Sequence, residues 1–490
     1  MKHDVIIIGS GLGGLECARI LSDAGMDVLV LERDRQPGGC LQSYRRGGLS
    51  FDTGFHYVGG IGEGQSLGAA FRMLGLSALP WKRMDDKFDR IMIGDRSFSY
   101  SQGYENFTEA LIREFPGERE AIEGYVDLLK SMGRQQLDML NPDVKTDPFS
   151  SFMFVTGAWE YLTATFRNRM LINVLSAASL KMELRKDTLP LFNFLHGNGS
   201  FVESSWRLKG DGSLIATSLI EGIRRNGGDV ICSAEVSSLV EKDRKIIHAV
   251  CSDGEAYEGD IFISDVHPAI TSGWIGQSEC VKKTYRKRMD SLENTFGMLT
   301  VSLAIKPHTL GYFNWNEYVY RDGDVWDFHK RNTPVGGILI SAGVPEDEDG
   351  YLQRLDILTP MAWENCAAWE DTRTGRRGES YGEMKARMAE ECICLAERAI
   401  PGLKDAVERC YVSTPLTWRD YTSAPQGSAF GIRKDFNSPL TTILSPRTPI
   451  SNLLLTGHNL ILHGIHGVTM TSMLTCSEIL GKKYIWNRLN

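Results

Sequence analysis

Residues 5–14 read VIIIGSGLGG. The first four, Val5–Ile8, are apolar and β-branched, which is typical of a strand buried on both faces of a parallel sheet. Behind this run, Gly9, Gly11 and Gly14 satisfy the pattern Gly-x-Gly-x-x-Gly. In that pattern the first glycine allows a tight turn, the second lets the backbone approach a pyrophosphate, and the third lets the next helix pack on the strand. The stretch therefore predicts a strand, a phosphate-binding turn and a helix in succession.

The residues that follow extend this unit to one that binds a dinucleotide. A helix is predicted over 12–24, and its N-terminus would offer N–H groups and a positive dipole end to phosphate. A second apolar strand, Val28–Leu31, ends at Glu32, where a carboxylate about 20 residues beyond the glycines holds a ribose diol. Three further motif residues are expected at the phosphate site: Ser10, Leu12 and Gly13. The alternative, a glycine-rich turn in any α/β protein, explains neither the second strand nor its acidic end.

The composition is that of a globular chain without an excess of positive charge. Of 490 residues, 42% are hydrophobic and 24% are charged, which suits two or three domains with a large core. The net charge of −8 argues against a nucleic-acid binder, which needs cations to displace counterions. The ten cysteines include no Cys-x-x-Cys pair, so we expect free thiols and no metal site. Without a secretory leader or an apolar run of ~20 residues, a cytoplasmic protein is expected, soluble or peripheral at a membrane.

The next segment distinguishes between two kinds of dinucleotide. Glu32 and Arg33 are followed closely by the pair Gly38-Gly39. This arrangement resembles the FAD-dependent oxidoreductases of the glutathione-reductase type rather than the NAD dehydrogenases, and the glycines would let the chain pass close beside the cofactor. No second complete Gly-x-Gly-x-x-Gly follows a strand, which argues against a separate NAD(P) domain.

Longer motifs indicate which branch of these flavoproteins the chain resembles. Residues 38–60 read GGCLQSYRRGGLSFDTGFHYVGG, and the segment at 51–57 closely resembles the retinol saturase branch of the phytoene desaturase-like and carotenoid isomerase flavoproteins. Cys40 after the double glycine, where carotenoid desaturases usually have arginine, points to the same branch. Three later segments also resemble the family: 106–117, 414–431 and 453–467, the last of them its C-terminal flavin motif. The resemblance covers essentially the whole chain and is weakest over about 130–205.

This resemblance implies a fold, a domain order and a set of cofactor contacts. The fold class is α/β, with a Rossmann-like FAD-binding domain of glutathione-reductase type and an inserted α+β substrate domain. The FAD-binding domain would comprise 1–75, 205–268 and 432–490, and the substrate domain 76–204 and 269–431. Further implied FAD contacts are Glu32, Arg33, Gly38, Gly39, Cys40, Val236, Gly457, His458, Asn459, Val468 and Thr469. Asn459 stands where relatives commonly have aspartate, and its amide can still hydrogen-bond a ribityl hydroxyl.

The implied function is reduction of a carbon–carbon double bond in a retinol-like or other isoprenoid or polyene lipid. In such a reaction flavin N5 donates hydride and a side chain protonates the neighbouring carbon. The candidate acids are His56, Tyr57 and His463, with His458 and His466 behind them. The external electron donor stays open between NAD(P)H, a reduced flavin and ferredoxin. Two alternatives also stay open: a phytoene-type desaturase or polyene cis–trans isomerase, and a non-catalytic prenyl-lipid carrier, against which the intact dinucleotide motif argues.

Two segments raise the question of a membrane surface. Residues 149–180 are rich in large apolar side chains, from Phe149 through Phe152, Phe154 and Trp159 onward, and related enzymes use this region as a lid for lipid. A membrane-surface segment and a buried helix pair are equally compatible with this pattern. The basic residues within 282–288 could contact anionic lipid, although a solvated helix face is favoured.

Helix ends were also predicted from local patterns. Asn106 and Glu109 are spaced as a capping box at the start of a helix. The final helix is expected to begin near Val468 and to stop before Gly481.

Overall fold

The computed structural model describes residues 1–144, 151–323, 325–327, 335–347 and 349–490, and the side chains of all of these except 134–137. The strands are β1 Lys2–Ile8, β2 Val28–Leu31, β3 Ser43–Arg46, β4 Leu49–Asp52, β5 Val58–Gly59, β6 Trp81–Arg83, β7 Lys87–Ile93, β8 Arg96–Ser101, β9 Ser205–Leu208, β10 Asp229–Ile231, β11 Val236–Lys242, β12 Lys245–Cys251, β13 Ala256–Ser264, β14 Gly297–Ile305, β15 Asn316–Tyr320, β16 Gly337–Ala342, β17 Arg354–Met361, β18 Val407–Ser413 and β19 Leu453–Leu455.

The helices of the described residues lie between and around these strands. They are α1 Leu12–Asp23, α2 Gly68–Leu74, α3 Tyr104–Glu114, α4 Arg119–Asp138, α5 Ala158–Thr165, α6 Arg169–Ala177, α7 Leu191–Glu203, α8 Ser213–Arg225, α9 Pro268–Trp274, α10 Lys283–Asp290, α11 Glu379–Ala396, α12 Leu403–Ala406, α13 Pro415–Thr422, α14 Pro439–Thr442, α15 Gly464–Leu480 and α16 Lys482–Leu489.

The first sheet is built around the strand with which the glycine motif begins. Its order is β10-β2-β1-β13-β12-β11, with β19 beside β13, and β10, β2, β1, β13 and β19 run parallel. Val5–Ile8 is at most 2% exposed, which confirms the prediction of a strand covered on both faces. Ile8 pairs with Leu31 and Ser264, and Ser264 pairs with Leu455. The carboxyl ends of four parallel strands therefore meet at one edge, where α/β folds bind their ligands.

A second sheet forms the layer above this edge. Its order is β18-β14-β17-β16-β15-β7-β8, and its pairings are antiparallel except for the parallel pair β7 and β15. Every residue of β14, β15, β16 and β17 is buried, since helices α3 to α7 lie against one side of the sheet and α11 against the other. The predicted class, an α/β Rossmann-like domain with an inserted α+β part, is confirmed.

The chain passes between the two sheets several times. The first sheet takes its strands from 2–31, 229–264 and 453–455, and the second takes its strands from 87–101 and 297–413. A third sheet, of order β5-β9-β6, takes its strands from parts of the chain that lie between these segments. The exact domain boundaries at 75, 204, 268 and 431 stay predictions.

Two helix ends differ from the sequence predictions. Helix α15 begins at Gly464, with His463 at its N-cap, and not near Val468, although it does stop before Gly481. Helix α3 begins at Tyr104 because Gly103 adopts a φ of 85° just before it. The Asn106 side chain consequently lies inside the helix and donates to the Gln102 carbonyl, so the predicted capping box is wrong.

The aromatic segment forms mostly core. Helices α5 and α6 bury Leu162, Phe166 and Leu171 to 3% exposure or less, whereas Phe152 and Val155 are 54% and 59% exposed. Phe149 lies outside the described residues. Within the residues that the structure covers, no helix has the length and apolar character needed to cross a membrane.

The basic segment at 282–288 is partly structural. Arg286 donates to the carbonyls of Ser272 and Ile275, and Arg288 donates to the carbonyls of Leu440 and Thr441. These two guanidinium groups therefore hold neighbouring loops, as well as contributing positive charge to the surface.

Candidate functional site

The converging strand ends open into a cavity of about 480 Å³. A residue just beyond each of four neighbouring strands lines this cavity. These are Glu32 after β2, Gly9 after β1, Asp265 after β13 and Gly457 after β19. Apolar residues of the second sheet, Met298, Leu339 and Leu358, line the same cavity. One space thus joins the dinucleotide-binding edge to an apolar wall.

The glycine motif has the close contacts that its pattern predicts. Gly9 adopts a φ of +98°, and a Cβ at Gly14 would lie 2.1 Å from the Gly9 carbonyl oxygen. A Cβ at Gly39 would lie 3.1 Å from the Cα of Gly11. The first turn of α1 and the double glycine therefore pack backbone against backbone beside the cavity.

Glu32 is fixed in place by main-chain donors. Its carboxylate accepts from the backbone N–H of Ser10 at 2.9 Å and of Asp34 at 2.8 Å, and the side chain is 8% exposed. The Ser10 hydroxyl also donates to Glu32 and accepts from the Gly38 N–H at 3.1 Å. Because each carboxylate oxygen can accept more than one hydrogen bond, Glu32 retains capacity for ligand hydroxyls.

Asp265 is a cavity residue to which the sequence reasoning gave no role at the site. Cβ atoms at Gly11 and Gly13 would each lie 2.5 Å from its carboxylate oxygens, so this side chain fills the space beside the glycine loop. Burial and the nearby Glu32 charge raise the pKa of Asp265 to about 7, while the Gly14 N–H bond opposes them. The glycine loop thus has a carboxyl group as a close neighbour.

Most of the predicted cofactor residues lie on this one cavity. The residues that line it are Gly9, Ser10, Gly11, Leu12, Gly13, Glu32, Arg33, Gly38, Gly39, Cys40, Val236, Gly457, His458, Asn459 and Val468. Gly14 and Thr469 do not. The Thr469 hydroxyl donates to the buried Glu16 carboxyl group at 2.7 Å and so faces α1, away from the cavity. The roles of the lining residues as FAD ligands stay predictions.

Arg33 holds the rim of the cavity together. Its guanidinium donates to the Ser423 hydroxyl and to the carbonyls of Asp420 and Tyr421, at 3.2 and 3.1 Å respectively. The guanidinium therefore connects the end of β2 to the end of α13.

Cys40 and Asn459 both line the cavity, the first as a thiol and the second as a hydrogen-bonded amide. Burial raises the pKa of the Cys40 thiol to about 12, so this cysteine is a neutral thiol. The Asn459 side-chain oxygen accepts from the Ile432 N–H at 3.2 Å, which connects the C-terminal motif to the residue that follows the 414–431 segment.

Tyr57 lies at the centre of a polar cluster that the sequence did not reveal. Its hydroxyl accepts from Lys181 Nζ at 3.0 Å, shares a 2.8 Å hydrogen bond with the Tyr318 hydroxyl, and donates to Asp89 at 3.3 Å. Asp89 also accepts from the Asn316 amide at 2.8 Å. Tyr57 and Lys181 line the cavity, and Asp89 and Tyr318 lie behind them.

The charges in this cluster balance one another. Burial lowers the pKa of Lys181 to about 8, although Asp89 opposes the decrease. Burial raises the pKa of Asp89 to about 6, although Lys181 opposes the increase. At pH 7 we therefore expect an ammonium and a carboxylate that are bridged by the Tyr57 hydroxyl.

The histidines on the cavity are neutral near pH 7. Burial, and the cationic groups of Arg207 and Arg354, lower the pKa of His56 to about 4. Burial lowers the pKa of His463 and of His466 to about 4 as well. The His463 ring packs against Phe430 at a tilt of 44°, with ring centroids 4.9 Å apart, so it forms part of the wall.

His466 differs from the other two. Both of its ring nitrogens are buried without a hydrogen-bond partner among the described residues, and its ring packs against His196 with centroids 4.7 Å apart. Because a buried ring nitrogen usually has a partner, its position on the cavity fits a site that holds a polar ligand.

Comparisons with known proteins agree with this geometry. A family profile described as the NAD(P)-binding Rossmann-like domain matches residues 7–74. The all-trans-retinol 13,14-reductase of Danio rerio is 25% identical over 97% of this chain and 86% of its own length. The chain resembles the retinol saturases over its whole length. The prolycopene isomerase 2 of an Oncidium hybrid cultivar is 25% identical over 87% of this chain and 75% of its own length.

A solved structure extends the comparison to the fold. An oxidoreductase from Methanosarcina mazei superimposes with a TM-score of 0.65 at 17% identity, and the match covers 96% of this chain and 99% of that one. The predicted resemblance to the retinol saturase branch and the predicted class, an oxidoreductase, are confirmed. The carrier alternative finds no support among these relatives.

Proposed function

We propose that this retinol saturase-like chain binds FAD and reduces a carbon–carbon double bond of a hydrophobic isoprenoid or polyene lipid. The observation that carries the proposal is the single cavity, in which the dinucleotide-binding edge faces Met298, Leu339 and Leu358. An apolar wall beside the cofactor site suits a lipid, and the named activities of the relatives point to a polyene of retinoid type.

The residues present fit FAD. Glu32 would hold the adenosine ribose, the N–H groups of 11–13 would hold the pyrophosphate, and Gly457–Asn459 would hold the ribityl end. Close backbone contacts at Gly14 and Gly39 keep side chains out of the path of the pyrophosphate. When bound, the flavin would supply the hydride chemistry, and the N-terminus of α15 would stabilise negative charge on its ring. The external donor stays open between NAD(P)H, a reduced flavin and ferredoxin.

The contacts favour Tyr57 as the group that protonates the substrate. His56 and His463 have lowered pKa values and are neutral at pH 7, so neither brings a positive charge to the site. Tyr57 lines the cavity and accepts a hydrogen bond from the Lys181 ammonium. A positioned acid of this kind contributes about 10²–10⁴ to the rate.

Isomerisation of a polyene is the second candidate. The similarity to the Oncidium prolycopene isomerase favours it. That protein is 25% identical over most of this chain, and the reductase has the same percentage identity. Isomerisation leaves the mass of the substrate unchanged, whereas reduction adds two hydrogens and desaturation removes two. Product mass therefore separates the three activities.

A transient contact with a membrane surface would give such a lipid a route to the cavity. The exposed side chains Phe152 and Val155 just before α5 support this part of the proposal. Large apolar side chains on a surface turn can insert into the headgroup region.

The experiment that tests the proposed function starts from the purified chain. FAD should be found in stoichiometric amount, and colourless protein would contradict the cofactor assignment. The flavin is then reduced anaerobically and all-trans-retinol is added. Flavin reoxidation together with a product heavier by two hydrogens is expected. A stable reduced flavin with an isomerised product of unchanged mass would favour the second candidate.

A further inference from the structure

Lys181 occupies an unusual position for a lysine. It lies at the end of the turn after α6, lines the cavity, and places its ammonium 3.8 Å from the ring centroid of Phe201. Its side-chain donor reaches the Tyr57 hydroxyl at 3.0 Å. Lysines seldom bury their charge without a paired group, so a specific arrangement must stabilise this one.

The groups that face Lys181 come from several elements. Asp89 on β7 is the carboxylate that acts on it, and it reaches the lysine through Tyr57. Tyr318 on β15 shares a hydrogen bond with Tyr57, and the His463 ring bonds to the Lys181 backbone. Arg207 on β9 acts electrostatically on both Asp89 and Tyr57. The ammonium is therefore held by one carboxylate behind a tyrosine that faces the cavity.

We propose that Lys181 supplies, through the Tyr57 hydroxyl, the proton that the reduction requires. This inference rests on the proposed function. It assigns Lys181 as a positioning and proton-supplying residue and Asp89 as the group that keeps it charged.

The proton balance follows from these contacts. One carbon of the double bond receives hydride, for which a reduced flavin is the reductant. The π electrons of the double bond then form a C–H bond between the other carbon and the Tyr57 proton. The Tyr57 O–H turns from Asp89 to the substrate, the O–H bond breaks, and its oxygen takes a proton from the Lys181 ammonium. Lys181 is left as a neutral amine and takes a proton from water when the product leaves. The substrate gains two hydrogens and the flavin loses two electrons.

Tyr57 is suited to pass this proton on. Burial and the Asp89 charge raise its pKa well above the usual value for tyrosine, so a phenolate formed there would take a proton from Lys181 at once. The ammonium, with a lowered pKa, is the stronger acid of the two. Transfer of a proton from the ammonium to a Tyr57 phenolate is therefore downhill, and it follows the transfer from the Tyr57 hydroxyl to carbon.

The first arm of the test measures single-turnover product formation against pH. For the wild type, the rate should fall above about pH 8 as Lys181 loses its proton. Lys181→Met should lower the rate about 100-fold and abolish this decrease. Lys181→Arg keeps a positive charge that neither titrates nor releases its proton, so its rate should stay as low as that of Lys181→Met, without the decrease near pH 8; a wild-type rate in Lys181→Arg would overturn the inference. The control is Lys186→Met, which removes a nearby lysine that pairs with Asp327.

The second arm does not depend on turnover. Protein labelled with ¹³C at the lysine Cε gives one resonance per lysine, and the Lys181 resonance is the one missing from Lys181→Met. Its midpoint should lie near pH 8 and should fall further in Asp89→Asn, because the carboxylate that favours the ammonium is gone. Equal FAD content of all variants shows that they fold.

The outcomes separate the inference from the proposed function. A wild-type rate and an unchanged pH profile in Lys181→Met would overturn the inference while leaving the reductase intact. If the wild type forms no reduced product from any polyene, the proposed function fails. The labelled lysine gives a separate result: a midpoint near the usual 10.5 overturns the inference whether or not a reduced product forms.

Discussion

Gly14 shows how one missing side chain brings a helix onto a strand. A Cβ there would lie 2.1 Å from the Gly9 carbonyl oxygen, a distance that no rotamer change can relieve because both atoms are fixed by the backbone. We expect Gly14→Ala to destabilise the fold by about 1–3 kcal/mol and to prevent FAD binding. The control is Gly124→Ala in the middle of α4, where a Cβ meets nothing within 4 Å. Thermal unfolding and flavin content check both variants, and equal results would contradict the packing argument.

Glu16 is a buried acid on α1 that the folded chain keeps protonated. Burial raises its pKa to about 8, while the Thr469 and Ser472 hydroxyls oppose the increase. A raised folded-state pKa means that stability is present at low pH and is lost as pH rises from about 4.5 through 8. Glu16→Gln keeps the Thr469 hydrogen bond, so its Tm should match the wild type at pH 5 and exceed it by roughly 2 °C or more at pH 9. A constant Tm difference between pH 5 and 9 would speak against this assignment.

The proposed role of Tyr57 as proton donor can be tested by removing its hydroxyl alone. Tyr57→Phe keeps the ring contact with Phe201, whose centroid lies 4.4 Å away, and removes only the hydroxyl. We expect product formation to fall at least about 100-fold with FAD content unchanged. His56→Gln tests a second candidate, and Tyr104→Phe, whose hydroxyl bonds to a carbonyl on α7, serves as the control. Full turnover in both Tyr57→Phe and His56→Gln would mean that the acid lies elsewhere.

At the scale of elements, parallel strands explain why residues far apart in sequence meet. Val5–Ile8 and Val28–Leu31 are short apolar runs, and their register places Ile8 opposite Leu31. Since parallel strands end at the same edge, Gly9 and Glu32 become neighbours although they are far apart in sequence. That much follows from the local pattern. The start of α15 does not follow from it, because His463 at the N-cap makes no side-chain capping hydrogen bond that a sequence pattern could indicate.

The turn before α5 gives the element-scale prediction. Phe152 and Val155 are more than half exposed, whereas Phe154 between them stacks on Phe192 at 4.0 Å. The double variant Phe152→Ser with Val155→Ser should bind phosphatidylcholine vesicles at least several-fold more weakly in flotation, with unchanged Tm. Val240→Ser, an exposed valine on β11, is the control. Equal flotation of the double variant and the wild type would remove the support for membrane contact at this turn.

At the scale of the whole molecule, Arg207 connects the three-stranded sheet to the second sheet. From β9 it donates to the Ser341 hydroxyl at 2.8 Å, to the Trp315 carbonyl at 2.8 Å and to the Asn316 side chain at 2.8 Å. It also donates to the Ala342 carbonyl. Strand β9 pairs with β5, which follows Tyr57 directly, so this guanidinium fixes the position of the cavity wall against the second sheet.

Removing this guanidinium should loosen the whole assembly. Arg207→Met leaves several buried acceptors without a donor, and we expect a loss of about 3 kcal/mol in the free energy of unfolding. Urea unfolding measures it, with Lys209→Met, an exposed neighbour beyond β9, as the control. A wild-type unfolding midpoint in Arg207→Met would show that the sheets are held together by other contacts.

The sequence by itself determined the dinucleotide-binding half of this protein. Its glycines, its β-branched strand and Glu32 act over a few residues, so their geometry is encoded locally and can be inferred without a structure. The apolar wall and the Tyr57 cluster depend on contacts across 32, 124 and 261 residues, to Asp89, Lys181 and Tyr318. Such contacts depend on strand order and helix packing, and no local pattern records which side chains these bring together. Tertiary structure alone therefore decided which residues surround the substrate side of the cavity.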